Sequence, residues 1–288
     1  MPVSYVVFTD LDGTLLDDAY SFAPALQSLS QIREASIPLV ICSSKTRKEI
    51  EYYRGKLENH DPFVSENGGG VFVPTGYFGF RVVDFEFAEE PGADVVHQTV
   101  FGADVEYEAI CLGVPYPKLR DALATLRRNG CRVRGFGDMS VQEIAGETGL
   151  PLDQARMAKE RDFDEPFLIE GSKNEREQIF RAVREMGLQV SRGRRFYHLT
   201  GSNDKGRAVK ILSDLFRATA GNPIVTIGLG GDPNDLSMLQ TVDHAIMVQK
   251  PDSGYDPALL SQGGFIKADG PGPVGWNKAI LGLLRGEM

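Results

Sequence analysis

The sequence contains little cysteine, histidine or tryptophan, and it lacks long apolar runs. The three cysteines, Cys42, Cys111 and Cys131, are few and odd in number, which argues against a disulfide framework and predicts reduced thiols. They are not at metal-ligand spacing either. No window offers eighteen consecutive apolar residues, so we expect no membrane-spanning segment. The first residues lack a basic start followed by an apolar stretch, so no signal peptide is expected. These absences together predict a cytoplasmic protein.

Basic residues are outnumbered in this chain. The 31 Lys and Arg residues stand against 40 Asp and Glu residues, which gives a net charge of −9. Nucleic-acid binding usually needs a basic face, so the balance does not support it. A length of 288 residues allows a sizeable core and two domains, and the 42% hydrophobic content is ordinary for a globular protein. An anionic substrate must therefore bind at a local cluster of Lys and Arg.

The most informative stretch is the start of the chain, where a short apolar run ends in two carboxylates. Residues 5–8 predict a buried strand, which Asp10, Asp12 and Gly13 follow. Residues two apart on a strand share a face, so Asp10 and Asp12 can approach one site. Two close carboxylates repel, and a cation such as Mg²⁺ between them relieves the repulsion. The structural alternative is a strand followed by an Asp-rich turn.

Three further apolar runs, at 37–41, 223–229 and 245–248, predict short strands. Helix-like segments separate them, which is typical of a parallel sheet. In open parallel sheets, ligands bind beyond the carboxyl ends of the strands. The polar residues that follow these ends include Ser43, Lys45, Asp232, Asn234 and Asp235. The pattern therefore predicts one polar site at this edge of an α/β sheet.

Four motifs resemble those of the haloacid dehalogenase superfamily of phosphatases. They are residues 10–14 (DLDGT), Ser43, Lys205 within 204–206 (DKG), and residues 231–235 (GDPND). Their order and spacing are similar to the branch that carries a large cap domain between the second and third motifs. A narrower resemblance, to the mannosyl-3-phosphoglycerate phosphatase family, rests on residues 44–49, 66–70, 164–167 and 193–199.

The resemblance implies a Rossmann-like parallel sheet core with an inserted α+β cap domain. We expect the core in residues 1–78 and 200–288, and the cap in residues 79–199, where the sequence texture changes and strand-like and helix-like pieces mix. Residues 263–273 are rich in Gly and Pro, and we expect them to form a loop.

The resemblance further implies Mg²⁺-dependent hydrolysis of the phosphate ester of mannosyl-3-phosphoglycerate or glucosyl-3-phosphoglycerate. The implied catalytic residues are Asp10, Asp12, Ser43 and Lys205. The implied metal ligands are Asp10, Asp12, Asp232 and Asp235. In this scheme Asp10 attacks phosphorus and forms an aspartyl-phosphate, and Asp12 gives a proton to the leaving oxygen and later activates water. Closure of the cap would exclude water and supply specificity.

Substrate contacts are expected from Lys45, Glu66, Asn67, Arg161, Arg194, Arg195 and Asn234. Most of them also have a structural interpretation. Lys45 contacts a ligand or is a solvated loop residue, and residues 66–70 bind substrate or form a hairpin turn. The arginines suit a carboxylate, which Arg grips at two points, but a charge run is also typical of a solvated face.

One position departs from the family pattern, which usually reads Gly-Asp-x-x-Asn-Asp. Here Gly231 stands where the first, metal-binding Asp is expected, and Asp232 comes one position late. Two other functions therefore stay open. One is a phosphatase of another sugar phosphate, and the other is a phosphosugar-binding protein that has lost catalysis through Gly231. In each case the expected partner is a small phosphorylated sugar, without nucleic acid or membrane.

Overall fold

The structure is a computed structural model that describes residues 4–87, 96–102, 105–192, 195–251 and 254–287. The strands are β1 Ser4–Thr9, β2 Leu39–Cys42, β3 Phe63–Ser65, β4 Gly70–Pro74, β5 Val96–Phe101, β6 Glu106–Cys111, β7 Val133–Gly135, β8 Asp164–Ile169, β9 Gln189–Arg192, β10 Tyr197–Thr200, β11 Ile224–Gly230, β12 His244–Gln249 and β13 Ile266–Pro271. The α-helices are α1 Leu26–Glu34, α2 Arg47–Leu57, α3 Tyr116–Arg128, α4 Val141–Thr148, α5 Leu152–Lys159, α6 Lys173–Glu185, α7 Lys205–Thr219, α8 Leu236–Thr241, α9 Pro257–Leu260 and α10 Gly272–Leu284. Within the described ranges, no helix combines the length and the apolar character needed to cross a membrane.

Nine strands form one large sheet in the order β13-β12-β11-β1-β2-β3-β4-β6-β5. The strands from β13 to β3 pair in parallel, and β4, β6 and β5 continue the sheet antiparallel. One face of the sheet buries apolar side chains of α1, α2 and α10, and the other buries those of α7 and α8. Parallel strands covered on both faces require apolar runs, which explains the pattern of the sequence. The expected α/β core is confirmed.

A second, smaller sheet has the order β7-β8-β10-β9 and is antiparallel throughout. Its helices α3 and α6 bury an apolar stripe against it, and Phe167 of β8 lies fully buried between them. Helices α4 and α5 form a smaller apolar cluster with Phe136 and Phe196. The mixture of antiparallel strands and helices agrees with the expected α+β character of the insert.

Two expectations about chain segments are wrong. Residues 96–111 were expected in the insert, but β6 pairs with β4 from Tyr107 to Cys111 and β5 continues the large sheet. Tyr107, Ala109 and Ile110 of β6 are buried in that sheet, so the second sheet begins only after β6. Residues 263–273 are not simply a loop, because β13 within them pairs with β12.

The carboxyl end of β1 is fixed by the C-terminal helix. Trp276 of α10 is fully buried, and its indole Nε1 donates a hydrogen bond of 3.0 Å to Thr9 Oγ1, one residue before Asp10. A buried indole needs such a partner for its N–H. The contact anchors the strand end that carries the first motif.

Candidate active site

Polar side chains meet where β1, β2, β11 and β12 of the large sheet end. Asp10 directly follows β1, Ser43 directly follows β2, Asp232 and Asp235 follow β11, and Lys250 follows β12. These strands pair in parallel side by side, so their carboxyl ends lie at one edge. This is the edge at which open α/β sheets bind ligands.

Lys205 joins two carboxylates of this edge. It is the first residue of α7, its side chain is fully buried, and its Nζ lies 2.8 Å from Asp10 Oδ1 and 2.7 Å from Asp235 Oδ1. Asp204 caps the helix by accepting a hydrogen bond from the backbone N–H of Gly206. A cation at a helix start is normally unfavourable, and here the two carboxylates compensate it. The geometry thus accounts for a lysine at this position.

The charges in this buried trio do not balance. Burial raises the pKa of Asp10 to about 8, with Asp235 contributing in the same direction and Lys205 opposing it. Burial works against the charged form of Lys205, but its two carboxylate partners outweigh burial and raise its pKa above the ordinary value. One ammonium group does not compensate two ionised carboxylates in a dry site, so ionisation of Asp10 is favoured by any further cation.

Asp12 faces a second lysine. Its Oδ2 lies 3.0 Å from Lys45 Nζ, and 42% of the Asp12 side chain is exposed. Its other oxygen, Oδ1, is buried and has no hydrogen-bond partner within the described part of the chain. Burial opposes the charge of Lys45, but Asp12 and then Glu49 outweigh it and raise the pKa of Lys45. Lys45 is therefore a buried partner of Asp12, and its interpretation as a solvated loop residue is wrong.

Ser43 is buried between β2 and the start of α2. Its Oγ accepts a hydrogen bond of 3.2 Å from the backbone N–H of Lys45. Three residues after Ser43, Thr46 is the N-cap of α2 and forms a capping box with Glu49. Thr46 Oγ1 also donates to the carbonyl of Met157 in α5, which ties this loop to the segment that carries the second sheet.

The loop after β11 uses its carboxylates internally. Asp235 is fully buried, and its Oδ2 accepts the backbone N–H groups of Gly231 and Asp232 at 2.9 Å each, while its Oδ1 contacts Lys205. Asp232 lies to one side, with its Oδ1 2.6 Å from Lys250 Nζ. Among the described residues, no group of three or more His, Cys, Asp or Glu side chains is arranged to hold a metal ion. The structure therefore does not assemble the four expected metal ligands Asp10, Asp12, Asp232 and Asp235.

Gly231 lies beside the site, where a side chain would meet the backbone of β12 closely. A Cβ atom at this position would be 3.0 Å from the carbonyl oxygen of Val248 and 3.8 Å from Thr14 Oγ1. The Thr14 hydroxyl is buried and has no hydrogen-bond partner among the described residues. A side chain at 231 would thus begin next to a buried polar atom of the first motif.

Glu66 connects the two sheets. Its buried carboxylate accepts the backbone N–H groups of Asp162 at 2.9 Å and Phe163 at 2.5 Å, just before β8. Burial raises the pKa of Glu66 to about 8, although the Arg161 charge opposes the shift. Both of its oxygens connect the large sheet to the second unit, the part of the chain that contains β7 to β10 and α3 to α6. This is a structural role. The predicted substrate contact of Glu66 is not supported by this geometry.

Asn67 and Asn234 lie together, although 167 positions separate them in the sequence. Asn234 Nδ2 donates a hydrogen bond of 2.9 Å to Asn67 Oδ1. Asn67 has a left-handed backbone conformation with φ of 57°, which is uncommon for residues other than glycine. The pair joins the loop after β3 to the loop after β11.

The three arginines predicted to contact substrate differ in their surroundings. Arg161 is almost fully buried, with Nη1 3.2 Å from Asp164 Oδ2 and 3.3 Å from the carbonyl oxygen of Ser44, next to Ser43. Arg195 is exposed and pairs with Glu147 of α4 at 2.7 Å, so it contacts the surface of the second unit. Arg194 lies outside the described residues.

Two residues at this edge carried no assigned role in the sequence. Lys250 holds Asp232 and also lies 2.8 Å from Asp256 Oδ2, and its position just after β12 was a usable signal. Tyr20 lies near Lys45, with the Lys45 Nζ 4.9 Å from the centre of its ring. An aromatic residue in a loop has no distinguishing spacing, so this contact could not be predicted from the sequence.

Comparisons with known proteins agree with this geometry. The sequence pattern of the haloacid dehalogenase-like hydrolases matches residues 7–77. The glucosyl-3-phosphoglycerate/mannosyl-3-phosphoglycerate phosphatase of Methanococcoides burtonii is 40% identical, with 98% of each chain covered. The protein of the same name from Persephonella marina is 42% identical, with 97% of each chain covered.

The fold is also similar to a solved structure. The crystal structure of Thermoplasma acidophilum 0175 superposes with a TM-score of 0.65 over the full length of both chains at 13% identity, which supports the fold alone. The similarity of sequence, by contrast, spans both sheets and the strand ends that carry the polar site. The chain therefore belongs to the haloacid dehalogenase-like hydrolases, in the family of the glucosyl-3-phosphoglycerate/mannosyl-3-phosphoglycerate phosphatases.

Proposed function

We propose that this protein is a Mg²⁺-dependent phosphatase that hydrolyses the phosphate ester of glucosyl-3-phosphoglycerate or mannosyl-3-phosphoglycerate. The observation that carries the proposal is the pairing of Asp10 with Lys205 beside the pairing of Asp12 with Lys45, at the ligand-binding edge of the sheet. The names of the relatives from Methanococcoides burtonii and Persephonella marina support the choice of substrate.

Asp10 is the proposed nucleophile. Lys205 holds its Oδ1, which orients the carboxylate and leaves Oδ2 for in-line attack on phosphorus. The attack forms a bond from Oδ2 to phosphorus and breaks the bond from phosphorus to the ester oxygen, which gives an aspartyl-phosphate and an alcohol. Ser43 and Lys205 are the proposed partners of the remaining phosphate oxygens.

Asp12 is the proposed acid and base. It donates a proton to the departing ester oxygen, and it then takes a proton from the water that hydrolyses the aspartyl-phosphate. Its contact with Lys45 Nζ at 3.0 Å fixes the carboxyl beside Asp10. Because 42% of its side chain is exposed, substrate and water can reach it.

The donor set fits Mg²⁺, which binds proteins through one or two carboxylates together with substrate phosphate oxygens. Asp10 and Asp12 would hold it, and the Asp12 Oδ1 without a hydrogen-bond partner in the described chain supports that assignment. When bound, Mg²⁺ supplies positive charge to the phosphate oxygens. The charge is needed because four acidic side chains, Asp10, Asp12, Glu49 and Asp235, share the two ammonium groups of Lys45 and Lys205.

The second unit is the proposed cap. Arg161 and Thr46 already join it to the loop after β2, and Glu66 joins it to the loop after β3. Exclusion of bulk water by such a unit favours transfer of the phosphoryl group to Asp10 in the first step. All three cysteines are free, which supports a cytoplasmic location as part of the same proposal.

The test is phosphate release from mannosyl- and glucosyl-3-phosphoglycerate, with and without Mg²⁺, beside simple sugar phosphates. We expect rapid, Mg²⁺-dependent release from the two glycosyl-phosphoglycerates. Faster release from simple sugar phosphates would overturn the substrate and keep the chemistry. Binding of the glycosyl-phosphoglycerates without any release would favour the phosphosugar-binding alternative, with Gly231 as its cause.

A further inference from the structure

Tyr20 is held in an unusual conformation by the loop that follows the first motif. Asp17 organises this loop, because its Oδ1 accepts the backbone N–H groups of Ala19 and Ser21 at 2.9 Å each, and its carbonyl accepts that of Tyr20. Tyr20 itself has φ of 58°. The left-handed region costs a residue with a Cβ about 1 kcal/mol or more. The loop therefore holds the backbone of Tyr20 in one defined conformation.

The ring lies against the proposed acid-base pair. Lys45 Nζ is 4.9 Å from the centre of the Tyr20 ring and 5.6 Å from that of Tyr53, and it contacts Asp12 at 3.0 Å. Two aromatic faces on one ammonium group help to hold the cation. Tyr53 is only 3% exposed and belongs to the core, whereas Tyr20 is 39% exposed. Of these two rings, Tyr20 is thus the one that offers surface to a ligand.

The position relative to Asp12 decides which part of a ligand meets this ring. Asp12 is proposed to protonate the ester oxygen, so the organic group attached to that oxygen leaves on the side of Asp12 and Lys45. The phosphate, by contrast, lies toward Asp10 and Lys205. Tyr20 is on the Asp12 side, one side chain away through Lys45.

We propose that Tyr20 is a specificity-determining residue that packs its ring against the sugar of the leaving group. This inference rests on the function proposed above and names the site for the glycosyl part of the substrate. The C–H face of a pyranose is apolar and matches an aromatic face, and the phenol hydroxyl at the ring edge can pair with a sugar hydroxyl. A rigid, half-exposed aromatic adds such contact at a small entropic cost, since its loop already holds it.

The test compares two ligands that differ only in the sugar. Glucosyl-3-phosphoglycerate is the substrate, and 3-phosphoglycerate, which keeps the phosphate and the carboxylate, is the competitor. The inhibition constant of 3-phosphoglycerate is measurable whether or not this compound is hydrolysed. The variants are Tyr20→Ala and Tyr20→Phe. Tyr52→Ala is the matched control, because Tyr52 makes the same kind of contact with a different lysine, Lys56, at 4.3 Å.

We expect Tyr20→Ala to raise KM for glucosyl-3-phosphoglycerate by about 10-fold or more, with kcat and the inhibition constant of 3-phosphoglycerate changed less than about 2-fold. Tyr20→Phe keeps the ring and should stay within about 3-fold of the wild type, and Tyr52→Ala should leave both constants unchanged. This pattern assigns the contact to the sugar.

Three results would overturn the inference. Equal weakening of both ligands by Tyr20→Ala would mean that the ring acts through Lys45 on the phosphate or carboxylate. No change in KM would mean that the sugar lies elsewhere. Wild-type protein that releases no phosphate from glucosyl-3-phosphoglycerate would overturn the proposed function and the sugar contact together, and this result is recognised before any variant is made.

Discussion

Lys205 Nζ lies 2.8 Å from Asp10 Oδ1 and joins residues 195 positions apart in the sequence. The same nitrogen contacts Asp235 Oδ1 at 2.7 Å, and all three side chains are buried or nearly so. The proposed nucleophile is therefore positioned by a cation that it shares with the loop after β11. Lys205 thus links the end of β1 and the loop after β11 to the start of α7.

Replacement of Lys205 by Met should damage both stability and activity. It leaves two buried carboxylates without their cation, and removal of one partner of a buried ion pair costs about 3–5 kcal/mol. We expect a loss of this size in the free energy of unfolding, measured by urea denaturation, and a decrease in kcat of at least about 100-fold.

Lys210→Met is the control for this variant, since Lys210 lies on the same helix and is exposed. An exposed substitution of this kind should change stability by less than about 0.5 kcal/mol. Equal stability of the two variants would contradict the structural role of Lys205.

Introduction of Asp at position 231 should tighten the dependence on Mg²⁺. The new side chain would start beside Thr14 Oγ1 and close to the Val248 carbonyl, and it restores the carboxylate that the family pattern has here. We expect the half-saturating Mg²⁺ concentration for phosphate release to fall by about 10-fold, which corresponds to about 1.4 kcal/mol of binding energy.

Gly231→Ala separates the carboxylate from the Cβ atom in this experiment. It adds the same contact of 3.0 Å to the Val248 carbonyl and no charge, so it should lower the Tm slightly and leave the Mg²⁺ dependence unchanged. If both variants shift the Mg²⁺ dependence equally, the loop itself and not the carboxylate governs metal affinity.

Arg161 and Arg195, the two predicted substrate-contact arginines that the structure describes, should differ sharply. Arg161→Met removes the contacts with Asp164 and the Ser44 carbonyl beside Ser43, so we expect kcat/KM to fall by about 10-fold or more. Arg195→Met breaks only an exposed pair with Glu147, which is worth about 0.2–1 kcal/mol and lies apart from the site. Steady-state kinetics should show less than about 2-fold change for Arg195→Met, and a larger loss there than at Arg161 would contradict the arrangement.

Glu66 should make stability depend on pH. Burial raises its pKa from 4.5 to about 8, so the folded protein retains a proton that the unfolded chain loses. The stabilisation from this retained proton is fully present below pH 4.5 and is lost as pH rises through about 8. At about 1.4 kcal/mol per pKa unit, it contributes a few kcal/mol to the free energy of unfolding.

Glu66→Gln has no titrating carboxyl group at this position. Between pH 5 and about pH 8, the Tm of the wild type should therefore fall steadily relative to that of Glu66→Gln. The exposed Glu106 of β6 provides the control variant Glu106→Gln, which should follow the wild type throughout. A difference between wild type and Glu66→Gln that is constant with pH would show that Glu66 ionises normally in the folded protein.

The sequence predicted those parts of the site that depend on local pattern. The apolar runs of β1, β2 and β11 are readable as strands, and in a parallel sheet their ends must meet, which brings Asp10, Ser43 and Asp235 together without further information. The N-cap at Thr46 and its capping box with Glu49 were likewise predictable, because they depend on four consecutive residues.

Long-range pairing was not predictable in the same way. Nothing local distinguishes β6, which joins the large sheet, from a strand of the insert, because the difference lies in its partner β4. Asp232 is held by Lys250 and Glu66 by the backbone before β8, and each partner is distant in sequence. Strand β13 is obscured by its glycine and proline, and its pairing with β12 is irregular between Met247 and Gln249.

The most direct test of the central claim is the Asp10→Asn variant, assayed with glucosyl- and mannosyl-3-phosphoglycerate in the presence of Mg²⁺. Asparagine keeps the shape of the side chain, and Lys205 keeps Asp235 as its partner, so the Tm should be unchanged or higher. We expect rapid phosphate release by the wild type and a decrease of at least about 1,000-fold in the variant, because the variant lacks the nucleophile. A folded Asp10→Asn protein that retains more than about a tenth of the wild-type rate would contradict the assignment of Asp10 as the nucleophile.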